Sequence, residues 1–193
     1  MNTQLPVLAG RRVRLEQLTE RHLPEVGRWR RDEEVTRYWI TRKAPTDREL
    51  EEWLAENRRT GSWTWIVYDE RANAVGYIDV FAISVEHRHC EISLMIGERS
   101  AQGRGYGQEC LRVVLAYLFS GRADGGPGMH RVSLTVVDQN AAARRVYERC
   151  GFVVEGRLRE DMWIDGAWHD QLVMSVLDRE FAEVMSSTDL EKP

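Results

Sequence analysis

The chain has 193 residues, of which 42% are hydrophobic and 30% charged, a balance expected of one soluble globular domain and not of a disordered chain. Its 27 basic residues stand against 31 acidic ones, a net charge of −4, so no overall basic footprint points to nucleic acid. The longest apolar run, Val113–Phe119, is far short of the roughly 20 residues a membrane helix needs, and Cys90, Cys110 and Cys150 are too scattered for a disulfide framework or a metal knuckle. These features predict a reduced, cytoplasmic protein with a single domain over residues 1–193, a core of about 11–178 and a flexible tail from about 186.

In chain order, Val13, Leu15 and Leu18 read as a first strand, and Thr19 as the cap of a helix running to about Arg31 with Leu23, Val26 and Trp29 at helical spacing. The charges of Arg28, Arg30, Arg31, Asp32, Glu33 and Glu34 read as solvated helix surface. Thr46-Asp47-Arg48-Glu49 has the form of a capping box and opens a second helix. Strands are predicted at Trp63–Tyr68 and Ala74–Ala82, joined by a polar turn, and at Cys90–Ile96. A glycine-rich loop leads into a helix with Leu111, Val114, Leu115 and Leu118 on one face. A strand at Arg131–Val137 and a short helix over Ala141–Arg149 follow, the helix stopped by Gly151. Two last strands, about Phe152–Trp163 and Trp168–Leu177, flank the turn Asp165-Gly166, and a final helix is placed near Arg179–Met185. The order β-α-α-β-β-β-α-β-α-β-β describes an α/β fold, a mixed sheet with helices on its faces.

The sharpest local feature is Gln102-Gly103-Arg104-Gly105-Tyr106-Gly107, set between a strand and an amphipathic helix. Its glycines allow positive φ and close approach of the backbone to a ligand, and the helix start offers unpaired N–H groups and a positive dipole end. Together these suit a pyrophosphate, the alternative being a plain tight turn. A Walker A loop is excluded because no Lys follows, and a dinucleotide fingerprint because Gln108 stands where its third glycine belongs.

The same loop resembles the acetyl-CoA loop of the GNAT acetyltransferase superfamily. A second resemblance lies further on, where Asp138-Gln139-Asn140 through Tyr147-Glu148-Arg149-Cys150-Gly151-Phe152 is similar to that superfamily's Asn…Tyr…Gly-Phe segment. The element order agrees as well, so the resemblance extends from about Val13 to Leu177 and implies a mostly antiparallel central sheet with helices on both faces. The segments Glu155–Arg159 and Trp163–Asp170 are similar to the group that holds ribosomal-protein N-terminal and spermidine acetyltransferases. The implied cofactor is acetyl-CoA, held by Gln102 to Gly107, by the backbones of Met95 and Ile96, and by Asn140 and Arg144. The implied reaction is direct attack of a primary amine on the thioester, with Tyr147 as general acid at the departing sulfur.

Such a transfer needs a neutral amine, donors for an oxyanion and a proton for the thiolate. The superfamily often carries its acid on the strand before Asn140, where this chain has Leu134-Thr135-Val136-Val137. Glu91 is the best remaining carboxylate, read either as a base acting through water or as a rim residue paired to an arginine such as Arg88. His87 and His89, near it in sequence, could also serve as the base, the alternative being residues of a solvated loop, and they have no metal-ligand spacing. For the acceptor, Glu33, Glu34, Tyr38 and Trp39 between the first helices, with Asp32, and Asp161 and Asp165 in the last turn, suit a cationic amine through charge pairing and cation–π contact. The expected partner is a small-molecule amine, polyamine or antibiotic type, or else a peptide N-terminus such as that of a ribosomal protein. Neither a metal, a membrane nor a nucleic acid is expected, and the chain is read as a monomer or homodimer. A non-catalytic acyl-CoA-binding module is the other-class alternative.

Overall fold

The computed structural model describes residues 4–39 and 41–190. A two-residue strand β1 (Leu8–Ala9) pairs with β2 (Arg14–Gln17). Thr19 then opens a 3-10 turn that leads into α1 (Leu23–Arg30). The short helix α2 (Glu33–Thr36) is capped by Asp32, which accepts from the amides of Glu34 and Val35. In α3 (Asp47–Thr60) the capping box closes as its sequence predicts, with Thr46 accepting from the Glu49 amide and Glu49 reaching back to Thr46 N. Strands β3 (Trp63–Tyr68), β4 (Ala74–Ser84) and β5 (His89–Ile96) form an antiparallel meander. Helix α4 (Tyr106–Phe119), β6 (Arg131–Val137), α5 (Ala141–Glu148), the hairpin β7 (Val153–Ile164) and β8 (Ala167–Leu177), and α6 (Asp178–Leu190) complete the chain.

The strand order is β1-β2-β3-β4-β5-β6-β8-β7, and every pairing is antiparallel except β5 with β6. This is the mixed, mostly antiparallel sheet expected, with three additions: the β1 bridge, the short α2 and a longer last helix. That helix runs through residues 186–190, where a flexible tail was expected; residues 191–193 of that tail lie outside the described ones.

The two faces of the sheet follow from strand alternation. Trp65, Val67, Ile78, Val80 and Ile92 point to one face, where Cys110, Leu111, Val114, Leu115 and Leu118 of α4 cover them. Ile66, Tyr77 and Met95 point to the other, under Val26 and Trp29 of α1 and Leu50 and Leu54 of α3. Burying each such side chain contributes roughly 1.5–3 kcal/mol, so both helical layers are anchored by the same three strands. The three thiols go into the first of these cores. Cys90, Cys110 and Cys150 are all buried, and burial raises each of them, Cys90 to about 12 and Cys150 to about 11.

Candidate active site

The cleft begins where the parallel pair fails. β5 and β6 are in register only at His89–Arg131, Cys90–Val132 and Glu91–Ser133. Beyond Glu91 the strands separate, so alternate backbone groups of residues 92–96 face a gap instead of a neighbouring strand. A cleft of about 960 Å³ fills the opening and reaches both faces of the sheet.

On one side it is lined by Gln102, Gly103, Gly105, Tyr106, Gly107 and α5. Gly103 has φ +72° and Gly105, which caps α4, has φ +86°; a Cβ on Gly103 would meet nothing within 4 Å. The loop backbone is therefore open to a ligand, with the unpaired N–H groups of a 14-residue helix behind it. Gln102 Nε2 donates to Ile96 O at 2.8 Å and Arg12 Nη1 to Arg104 O at 3.0 Å, which pins the loop to β5 at one end and to the N-terminal segment at the other. The Tyr106 side chain is buried, donating to Glu70 Oε2 at 2.7 Å beneath the Arg12 guanidinium, so the backbone is what it offers the cleft. Met95, Ile96 and Asn140 line the cleft as well, and Asn140 also caps α5 by accepting from Ala143 N.

Two cations expected in this half lie elsewhere. Arg144 is ion-paired to Glu148 one turn along α5 and does not line the cleft; Arg145 and Arg149 do. Arg104 projects beside Tyr106, outside it. At about 100° per residue a one-residue step on a helix changes the face, and the motif alone does not choose between Arg144 and Arg145.

Tyr147 lines the cleft from α5 and is 8% exposed. Its ring tilts against Phe152 at 5.8 Å, its hydroxyl has no hydrogen-bond partner among the described residues, and burial pushes it up to about 12. Thr135 faces the cleft where an acid was sought.

The acid comes from another strand. In the register of β3, β4 and β5, Thr64, Asp79 and Ser93 form one row across the sheet. Thr64 Oγ1 donates to Asp79 Oδ1 at 2.6 Å and Ser93 Oγ to Oδ2 at 3.4 Å, while Asn57 Nδ2 donates to Thr64 Oγ1 at 3.1 Å. Asp79 is buried, lines the cleft and is raised to about 6, chiefly by loss of solvent, against the lowering effects of Thr64 and Arg30. It was not singled out from sequence. The available signal was a lone charge inside the apolar run Val75–Phe81.

Glu91 lines the cleft two rows away and is not paired to Arg88, which approaches Asp178 instead. Of the acceptor residues, Glu34, Tyr38 and Trp39 line the cleft with Trp53 of α3, whereas Glu33 is exposed outside it. Asp161 does not reach the cleft, and Asp165 accepts from Arg37 and Arg42 at 3.2 and 2.9 Å, tying the hairpin tip to the chain segment that carries Tyr38 and Trp39. Among the described residues no cluster suits a metal ion, and no helix is long and apolar enough to cross a membrane.

The open glycine loop, a helix start behind it and an unzipped sheet edge fit the pyrophosphate and extended arm of acetyl-CoA. A family model described as the acetyltransferase (GNAT) domain matches residues 12–153. The chain belongs to the GNAT acetyltransferases. As a member of that family it is an acetyl-CoA-dependent N-acetyltransferase. Among its relatives, the spermidine N(1)-acetyltransferase of Vibrio cholerae is 28% identical over 148 residues, covering 76% of this chain and 82% of that one. A crystal structure of spermidine N-acetyltransferase from the same organism, in complex with CoA and spermine, superimposes with a TM-score of 0.79 at 26% identity over 88% of this chain and 98% of that one. A Bacillus subtilis protein named for ribosomal N-acetylation is 28% identical over 116 residues, 60% of this chain and 59% of its own length.

Proposed function

We propose that this GNAT enzyme acetylates a primary amine of a small polycation of the polyamine type, with both substrates in the cleft at once. The observation that carries the acceptor class is the division of charge along the cleft. The side of the glycine loop and α5 presents Arg145 and Arg149, and the opposite side presents Glu34, Asp79 and Glu91 with the rings of Tyr38, Trp39 and Trp53. Anions are favoured at the first and a cationic chain at the second. The names of the Vibrio cholerae relatives support the same class.

Bound acetyl-CoA supplies an acyl group already activated as a thioester. The residues that would hold it are Gln102, Gly103, Gly105, Tyr106 and Gly107 by their loop, Met95 and Ile96 along β5, and Asn140 and Arg145 on α5. Asp79 receives the proton of the incoming ammonium. Ordinary alkylammonium groups ionise near 10.4, and an acid raised to about 6 is a better base than a solvated carboxylate while remaining ionised at neutral pH. Thr64 and Ser93 fix its two oxygens. Glu91 stands where it can relay the proton toward the cleft mouth. Tyr147, protonated at every working pH, presents its O–H to the departing sulfur. None of the three cysteines lines the cleft, which supports direct attack over an acyl-thiol on the protein.

The test is thiol release from acetyl-CoA against polyamines, aminoglycosides and short peptides with free N-termini. Polyamines are expected to give the highest kcat/KM, with intersecting initial-rate lines. Turnover confined to the peptides overturns the acceptor class, and parallel lines overturn direct attack.

A further inference from the structure

Arg30 ends α1 and is the one cation among the described residues lining the acceptor side of the cleft. Its neighbours are committed: Arg28 to Glu98, and Arg31 to Asp47 and the Pro45 carbonyl. The Arg30 side chain forms no hydrogen bond and no ion pair with any described residue. It is half-buried, with its guanidinium carbon 5.1 Å from the centre of the Trp53 ring. Trp53 in turn tilts against Tyr77 at 5.8 Å, and Tyr77 lies two positions before Asp79 on the same face of β4. The stack Arg30–Trp53–Tyr77 thus holds a positive charge within electrostatic reach of the acid assigned to the reacting nitrogen.

A guanidinium that served only to neutralise Asp79 would touch it, as Arg99 touches Asp32 at 2.7 Å. Arg30 instead rests on an aromatic face and lines the cleft, with its guanidinium in no hydrogen bond to a described residue. At the cleft rim, Glu34 is exposed and in no direct ion pair among the described residues; Arg99, within its electrostatic reach, is bonded to Asp32, which leaves the Glu34 carboxylate open to a ligand cation. One ammonium is thus met by Asp79, while a second positive charge carried close behind it meets Arg30 before it can reach Glu34.

We propose that Arg30 is a charge filter for the acceptor: the amine that reaches Asp79 must carry its next positive charge far enough along its chain to clear the guanidinium and reach Glu34. The inference rests on the acceptor class proposed above and adds which members of that class are used. Two like charges a few ångströms apart in a half-buried cleft repel strongly enough to move specificity by about tenfold, even with the solvent screening such a site retains.

The experiment compares kcat/KM for 1,3-diaminopropane and 1,5-diaminopentane at saturating acetyl-CoA, using the full chain and its R30M, R30Q and R30K variants. The native chain is expected to favour the longer diamine by about tenfold. In R30M and R30Q the ratio should fall toward unity through a gain on the shorter diamine, with KM for acetyl-CoA unmoved, and R30K should keep the native preference. A ratio unchanged in both neutral variants, or an equal loss on both diamines, overturns the filter while leaving the acceptor class standing. If the native chain acetylates spermidine but neither diamine, the filter falls and the acceptor class stands; if it acetylates neither spermidine nor the diamines, the acceptor class falls and the filter with it.

Discussion

The two sides of the cleft are built by different means. The cofactor side is a local device: six consecutive residues turn on positive-φ glycines into the start of α4, and a short helix brings Tyr147 and Asn140 up beside them. The acceptor side is a tertiary device, in which Asp79 on β4, Thr64 on β3, Ser93 on β5, Arg30 on α1 and Trp53 on α3 meet only once sheet register and helix packing are complete. The difference teaches that substitutions on the first side should act through one segment, and those on the second through several elements at once.

The largest effect tests whether chemistry belongs to the local side. Tyr147→Phe is expected to lower kcat by roughly 10²–10³-fold, the scale of a lost general acid, with acetyl-CoA affinity by calorimetry nearly unchanged. Unaltered turnover would remove Tyr147 from the reaction.

Next comes the centre of the tertiary side. Asp79→Asn should lower kcat/KM for the amine by about 10²-fold at neutral pH. In the native chain kcat/KM should decline as pH falls through about 6, where Asp79 takes up its proton, and the variant should lack that limb. The same residue gives a stability signature. Its carboxyl is held above its ordinary value of 3.8, so between about 4 and 6 the folded state binds more protons than the unfolded one. Stability therefore falls as pH rises through that window. Thermal melts from pH 4 to 7 should show this trend in the native chain and a flatter one in Asp79→Asn.

A smaller effect separates backbone from side chain on the local side. Gly105→Val forces a β-branched residue into φ +86° and should weaken acetyl-CoA binding by about tenfold while leaving the pH limb of Asp79 in place. A variant that binds acetyl-CoA normally would show that the loop is a turn and nothing more. The smallest effect is expected at the hairpin tip. Asp165→Asn releases two exposed ion pairs, each worth at most about 1 kcal/mol, and should raise KM for the amine a few-fold without changing kcat.

Legibility in the sequence divides along the same line. Trp63–Tyr68 and Arg131–Val137 are bounded in the structure as their strand-like runs predict, and the glycine loop and the Asn140–Phe152 segment can be read because each is a run of neighbours. Asp79 could not be read in the same way, since its burial and its two hydrogen bonds depend on partners 14 and 15 residues away. Arg30 sits inside a mixed-charge cluster that resembles helix surface, yet it follows Val26 by four residues and so lies along the buried stripe. Glu33 and Arg144 show the reverse, residues of suitable type whose neighbours, Glu34 and Arg145, are the ones the helices turn toward the cleft.

The buried cysteines carry a practical consequence. Cys90, Cys110 and Cys150 are the only thiols in the sequence, all sealed in the core and protonated well above neutrality. The native surface is thus silent toward thiol-directed labels. A cysteine placed at exposed Trp163 or Trp168 would be the sole reactive handle on the molecule, giving a fluorophore one address from which to report movement of the hairpin tip as the cleft fills.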